Sequence, residues 1–257
     1  MKKQLMATFT LALVALSSAG GQVGYYPARS PYRDLEKAHE LTYFSGFYRA
    51  HLDPARVAPR SGMMIGVLYQ WLASGPVNLT AEVARVASER RVLDPDLPKT
   101  CASGPVADCK RIAIYRWPLY FTDVGFAMNL TGGRTFHRLV PELRAGLGIV
   151  TDFHANADVG NFAFGTKFAT SLGAAIRWIP RGRYQMRLGF ANRVYTVKYP
   201  DAYYAPAPDK SRILCDRATA HGFALLGAGI PCAGISKPSR WMNNGAFTIG
   251  ASYLFGR

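Results

Sequence analysis

The stretch that decides the fold is AFTIGASYLFGR, residues 246–257. Every second position selects Phe247, Ile249, Ala251, Tyr253 and Phe255. The positions between them hold Ala246, Thr248, Gly250, Ser252 and Leu254. A period of two is the signature of a β-strand with unlike faces. Here one face is apolar and mostly large, and the other is mostly small or polar. What the large face touches decides what kind of protein this is.

Seven more segments read as strands: 40–51, 62–73, 77–87, 112–130, 139–152, 161–179 and 183–198, with the last strand at 244–255. Their alternation is explicit. Tyr184, Met186, Leu188, Phe190 and Val194 oppose Arg183, Gln185, Arg187 and Arg193. Phe162, Phe164, Phe168, Leu172, Ile176 and Trp178 oppose Gly165, Lys167, Ser171, Gly173 and Arg177. Leu143, Ala145, Leu147 and Ile149 oppose Glu142, Arg144, Gly146 and Gly148. Tyr120, Val124, Phe126, Met128 and Leu130 oppose Asp123, Gly125 and Asn129. Ile65, Val67, Tyr69 and Trp71 oppose Gly66 and Gln70. The first strand carries aromatics on both faces.

The connections alternate in length. Ser74-Gly75-Pro76, Thr131-Gly132-Gly133-Arg134 and Pro180-Arg181-Gly182 are short. Residues 52–61, 88–111, 153–160 and 199–243 are longer. Short turns therefore fall at one end of the strands and long loops at the other. That segregation, with an even strand number, belongs to a transmembrane barrel. In lipid every backbone polar group must be paired within the protein, and a closed barrel leaves no free edge. The expected fold is all-β: a closed antiparallel up-and-down transmembrane β-barrel of eight strands with long extracellular loops, over residues 40–257. Its apolar face points to lipid and its polar face inward.

The first residues fit that destination. Met1, Lys2 and Lys3 form a positive start, Leu5 to Leu16 an apolar run, and Ser17-Ser18-Ala19 a small-residue site. This reads as a secretory signal peptide over residues 1–20. Residues 21–39, rich in Gly, Pro, Tyr and Arg, read as a lead-in with one helical turn near Asp34 to His39. Charged residues make up 18% of the chain, fewer than the roughly 25% of soluble domains, and aromatics 12%. There are 31 Lys and Arg against 16 Asp and Glu. Such an excess suits nucleic acid, an anionic lipid surface or an anionic substrate. Secretion argues against nucleic acid and favours the anionic outer leaflet of a Gram-negative cell.

Four cysteines follow: Cys101, Cys109, Cys215 and Cys232. An oxidising compartment favours disulfides. Three pairings exist; local pairing of Cys101 with Cys109 and Cys215 with Cys232 is expected, with a zinc site as the alternative.

Strand count, loop pattern, signal peptide and the closing Tyr253-Leu254-Phe255 together resemble the eight-stranded outer-membrane β-barrel family, the OmpA/OmpX-like group. The resemblance spans about residues 40 to 257. It implies the bacterial cell outer membrane, contact with outer-membrane lipid, and insertion by the outer-membrane assembly machinery. The assembly-signal strand would present Phe247, Ile249, Tyr253 and Phe255; Gly256 and Arg257 follow the aromatic where family members end on it. Members serve structural, adhesive, protective, transport or lipid-modifying roles.

On this reading Glu82, Asp123, Glu142, Arg144, Lys167, Arg177, Arg183, Arg187 and Arg193 face the lumen. Three acids against six bases predict a mostly basic interior, either a salt-bridged plug or a path for small anions. Tyr69, Trp71, Trp117, Tyr120, Trp178, Tyr184, Tyr195, Trp241 and Tyr253 read as interfacial girdles. Of the histidines (His39, His51, His137, His154 and His221), His154 lies near Asp152 and Asp158 but has no nearby Ser to activate. No catalytic, cofactor-binding or metal residue is singled out. The glycine-rich GAGIPCAG, 227–234, lacks the strand-to-helix context of a phosphate loop. The expected function is non-enzymatic: a monomeric barrel with a structural, surface-interaction or adhesion role. Lys210, Arg212, Arg217, Lys237 and Arg240 would then meet lipopolysaccharide phosphates. A small-solute pore and a soluble, lipocalin-like ligand-binding barrel are the alternatives.

Overall fold

A computed structural model describes residues 30–35, 38–104, 106–154, 156–181, 183–205, 207–214 and 239–256. Its strands are β1 (Tyr32–Asp34), β2 (His39–Arg49), β3 (Gly62–Ser74), β4 (Val77–Val86), β5 (Arg90–Leu93), β6 (Arg111–Tyr115), β7 (Leu119–Asn129), β8 (Arg134–Phe136), β9 (Leu139–Thr151), β10 (Thr166–Arg181), β11 (Tyr184–Lys198) and β12 (Ser239–Phe255). One short helix, α1 (Val106–Cys109), precedes β6. The signal peptide, Cys215, Cys232, His221, Arg217, Lys237 and the glycine-rich 227–234 lie outside the described residues.

Eight strands close a barrel in the order β7-β9-β10-β11-β12-β2-β3-β4 and back to β7, all antiparallel. The seam joins the first barrel strand to the last, with Phe255 opposite His39 and Gly245 opposite Arg49. Closure pairs every barrel strand on both sides, which is what a lipid environment demands.

The large residues of AFTIGASYLFGR face outward. Phe247, Ile249, Tyr253 and Phe255 are exposed, and so are Val67, Val124, Leu147, Leu172 and Leu188 from the other walls. A contiguous apolar exterior of this extent is foreign to a water-facing surface. It is also opposite to what a soluble ligand-binding barrel requires, where the apolar face must line the cavity.

The connections divide by length as the sequence indicates. Gly75 turns β3 into β4 with φ +57, a left-handed conformation that glycine adopts without strain. His137 and Arg138 link β8 to β9 with φ +49 and +67. Two successive positive φ values match the twist of a tight hairpin. The termini of the barrel share this end with the short turns.

Four expectations need correction. Segment 112–130 is two strands. Arg116-Trp117-Pro118 separates β6 from β7, and β6 pairs with β5 in a hairpin outside the barrel. Pro118 donates no backbone N–H and ends the ladder there. Segment 161–179 starts as a strand only at Thr166, because Gly165 takes φ +62. Phe162 and Phe164 are consequently buried above the barrel instead of facing out with Phe168. The last strand starts at Ser239, five residues earlier than expected. Finally, the lead-in carries an unexpected strand, β1, ahead of the expected helical turn, whose residues 36 and 37 lie outside the described ones. Tyr32, Arg33 and Asp34 pair with Phe136, Thr135 and Arg134 of β8.

The interior has two halves. Toward the long loops it is apolar: Tyr48, Met64, Val86, Leu119, Phe121, Val150, Tyr195 and Met242 are buried there. This core continues into the loops through Val57, Leu93, Phe162, Phe164, Tyr199 and Tyr203. Toward the short turns it is polar and charged.

Candidate functional site: a charge-balanced lumen under a loop cap

Inward positions of alternate residues bring acids and bases from six strands into two layers. In the middle layer, Arg193 of β11 donates to Glu82 of β4 and to Asp123 of β7, the latter at 2.5 Å. Arg144 of β9 reaches the other oxygen of Glu82 at 3.0 Å. The Arg193 guanidinium lies 4.6 Å from the centre of the Phe121 ring. Here an aromatic face and two carboxylates surround one buried cation.

In the lower layer, Arg177 of β10 donates to Glu40 of β2 and to Asn129 Oδ1, both at 2.6 Å, and its Nε lies 3.2 Å from Glu142. Arg187 of β11 donates to Glu142 of β9. Thr42 donates to Glu40 at 2.9 Å. The Gln70 amide bridges the pairs, its nitrogen 3.1 Å from Glu40 Oε2 and its oxygen 3.2 Å from Arg187 Nη1. Buried charge is tolerated only when paired and hydrogen-bonded; each of these charges is paired, with Asp123 Oδ1 and the Nε atoms of Arg144, Arg177 and Arg193 left without a hydrogen bond.

Of the nine charges expected to face the lumen, seven are brought together: Glu82, Asp123, Glu142, Arg144, Arg177, Arg187 and Arg193. Lys167 sits half-buried at the loop end of β10, outside both layers. Arg183 stands in the turn before β11, exposed, and donates to Tyr253 Oη at 3.1 Å. A turn residue has no inward register, so the alternation of β11 does not reach it. Glu40 was the missing acid. The expected strand began on it, and its inward position follows from pairing opposite Gln70. Four carboxylates (Glu40, Glu82, Asp123, Glu142) thus face four guanidiniums (Arg144, Arg177, Arg187, Arg193) in these layers. The expected basic interior is instead balanced.

Little space is left. A gap lined by Glu82, Arg144, Arg187 and Arg193 measures about 20 Å³, room for about one water. Above it, Tyr48 and Tyr195 meet hydroxyl to hydroxyl at 3.0 Å across the lumen. Tyr195 therefore leaves the expected girdle and joins the plug: it is buried, while Tyr69, Trp71, Trp178, Tyr184, Trp241 and Tyr253 are exposed.

The loops form a cap that the sequence reading did not anticipate. Asp53 accepts from the backbone N–H groups of Ala55, Val57 and Ala58 at 3.2, 2.6 and 2.7 Å, and from the Tyr199 hydroxyl. Arg90 grips Asp158 with two bonds of 2.7 and 3.0 Å and lies 4.2 Å from the Trp117 ring centre. The buried Lys110 ammonium donates to Pro95 O at 2.8 Å and to Asp209 at 3.0 Å. Arg56 and Arg91 converge on Asp108. Cys101 and Cys109 are joined by a disulfide, which holds α1 against the loop before it and takes the place of the zinc alternative for this pair.

The cap's titrating groups carry the marks of their surroundings. Burial raises Tyr199 and Tyr203 well above the ordinary phenol range. Burial also lifts Asp158, against the pull of Arg90. Burial acts to raise Asp108 as well, but Arg56 and Arg91 outweigh it and hold it below the usual carboxylate range. The Ser211 hydroxyl, with Lys110, holds Asp209 down.

His154 packs against Trp117, ring centres 4.1 Å apart and tilted by 33°, and its backbone N–H donates to Asp152. His39 faces outward at the seam, stacked on Phe255 and bonded through Nδ1 to Tyr69 Oη at 2.7 Å. Lys210 and Arg212 lie in the loop after β11. Among the described residues no group of three His, Cys, Asp or Glu is placed to hold a metal ion, and no helix is long and apolar enough to cross a membrane.

No family model matches the chain, and no curated protein matches it. Among solved structures the chain is similar to Neisserial surface protein A (TM-score 0.46, 9% identity, 84% of this chain and 97% of that one). It is also similar to the outer membrane protein W of E. coli (0.43, 12%, 86% and 100%). A third is the Yersinia pestis outer membrane protein Ail in a phospholipid bilayer nanodisc (0.37, 12%, 86% and 100%).

Proposed function

We propose that the protein is a sealed, non-enzymatic β-barrel of the bacterial outer membrane whose work is done at the cell surface by its loop cap. The observation that carries this reading is the balanced lumen. Four carboxylates and four guanidiniums pair across it, and Tyr48, Tyr195 and Phe121 fill the space above. An anion path needs unpaired positive charge and open water; both are missing along this stretch. Eight strands leave an interior that side chains can fill.

The cap supports the surface role. Its hairpin, helix, disulfide and buried ion pairs make a rigid platform of the residues that follow β2, β4, β9 and β11. Arg56, Arg60 and Arg91 line one hollow in it together with Asp53 and Glu89, and Arg56 and Arg91 share the carboxylate of Asp108. Guanidiniums clustered in this way suit phosphate groups, as on lipopolysaccharide. With Lys210, Arg212 and Arg240 they would hold the cap against the anionic outer leaflet or present it to anionic partners. Insertion by the outer-membrane assembly machinery, through the β12 strand, belongs to the same proposal.

Ion conductance across a planar bilayer containing the purified full chain tests it. The sealed barrel gives no stable current steps. Reproducible steps would overturn it in favour of the small-solute pore.

A further inference from the structure

Among the described residues, the end of the barrel opposite the cap is not filled. A vestibule of about 700 Å³ opens there, within the size range of small-molecule sites. Its floor is the lower ion-pair layer, through Glu40, Arg177 and Asn129. One wall comes from the lead-in. β1 pairs with β8, Leu35 N–H donates to Gly133 O at 2.9 Å, and Ala38 O accepts from Leu72 N–H at 2.8 Å. The lead-in is thus tied down on both sides of the mouth. A chain needed only to reach β2 has no reason to be so anchored.

The lining is two-sided in chemistry. Leu35, Leu72, Ile179 and Leu254 supply apolar surface. Arg33, Arg138 and Arg183 supply positive charge. None of these three has a carboxylate partner among the described residues; the Arg183 guanidinium donates to the Tyr253 hydroxyl. The two acids at the vestibule are already engaged: Glu40 by Arg177, and Asp34 by Arg134 at 2.9 Å. Guanidiniums without a carboxylate partner around a concave, partly apolar space favour an anion that carries an apolar part.

We infer that this vestibule is a binding site for a small amphiphilic anion. A phosphate or carboxylate head would be held by Arg33, Arg138 and Arg183, and a short apolar body would rest on Leu35, Leu72, Ile179 and Leu254. Such a ligand would come either from free small molecules or from fragments of lipid, which share this chemistry. The site lies beyond the sealed lumen and does not depend on it. Only its placement on the periplasmic side rests on the reading above.

Phenyl phosphate is a soluble probe of both halves of the site, and inorganic phosphate a probe of the charged half alone. Each is titrated by calorimetry into the full chain in a non-ionic, phosphate-free detergent. Phenyl phosphate is expected to bind saturably at one site and more tightly than inorganic phosphate. A shorter-chain lysophospholipid that displaces it would point to the lipid source; displacement only by soluble aryl or alkyl phosphates would point to the free source. Arg138→Ala with Arg183→Ala should weaken phenyl phosphate by about tenfold or more, as expected for lost charge-assisted bonds. The variants' resistance to SDS before boiling shows that the barrel is intact, since neither residue belongs to the lumen layers. No saturable binding by the native chain, or equal binding by the intact double variant, would overturn the inference. Current steps in a bilayer would overturn the sealed lumen and leave this site standing.

Discussion

The Arg193 guanidinium and the Glu82 carboxylate, 111 positions apart in the chain, meet across the barrel interior. β11 and β4 are separated by three strands in either direction around the wall, so this pair spans the full width of the lumen. Neither side chain is open to bulk water.

Breaking that pair should be costly. Glu82→Gln leaves Arg193 with Asp123 alone and Arg144 with no carboxylate in reach. The expected loss is about 3–5 kcal/mol, the usual result of orphaning one half of a buried pair. Urea titration of the protein folded into lipid vesicles measures it. A loss below about 1 kcal/mol, typical of exposed ion pairs, would mean the lumen is wet.

The outward face predicts a different sensitivity. Val124 sits at the centre of β7 and is exposed. In a bilayer, Val124→Arg should destabilise by about 2–4 kcal/mol. On a water-facing surface the same change would fall within about 0.5 kcal/mol. The same vesicle titration separates the two.

Asp108 and Asp209 should make the cap respond to acid with one sign, opposite to that of Asp158, whose carboxyl burial raises. Asp108 and Asp209 are both held below their ordinary values in the folded cap. A depressed carboxylate contributes stability above its unfolded pKa of about 4, and that contribution is lost as pH falls through the folded value. The cap should therefore resist proteolysis from neutral pH to about pH 5 and become cleavable only well below the ordinary carboxylate range. Cleavage of loop residues 87–118 in intact vesicles, followed against pH, checks this. Loosening that begins near pH 6 would point to a histidine instead.

Much of this architecture is legible in sequence because the physics is local. Alternation at Tyr184 to Phe190 or Leu143 to Ile149 is set by the pleat, and Gly75 and Pro76 mark a turn by their own backbone preferences. The segregation of loop lengths needs only counting. The rest depends on partners far along the chain. Glu40 is an inward acid only because β2 pairs with β3 in a register that sets it opposite Gln70. Tyr195 reads as a girdle aromatic until Tyr48 is seen across the lumen. Phe162 and Phe164 continue the alternation of β10 on paper, and one positive φ at Gly165 removes them from it. The cap was missed for the same reason. Asp53 with Tyr199, Arg90 with Asp158 and Lys110 with Asp209 join loops separated by dozens of residues, and no local pattern announces them.

Electrophoretic heat-modifiability is the test for a closed barrel that spans a membrane with its apolar face to lipid. Outer-membrane fractions extracted in mild detergent are run in SDS with and without boiling. A membrane-spanning barrel gives a folded band that resists SDS when unheated and shifts on boiling. An unshifted band, with the protein recovered soluble from periplasm or medium, would contradict it.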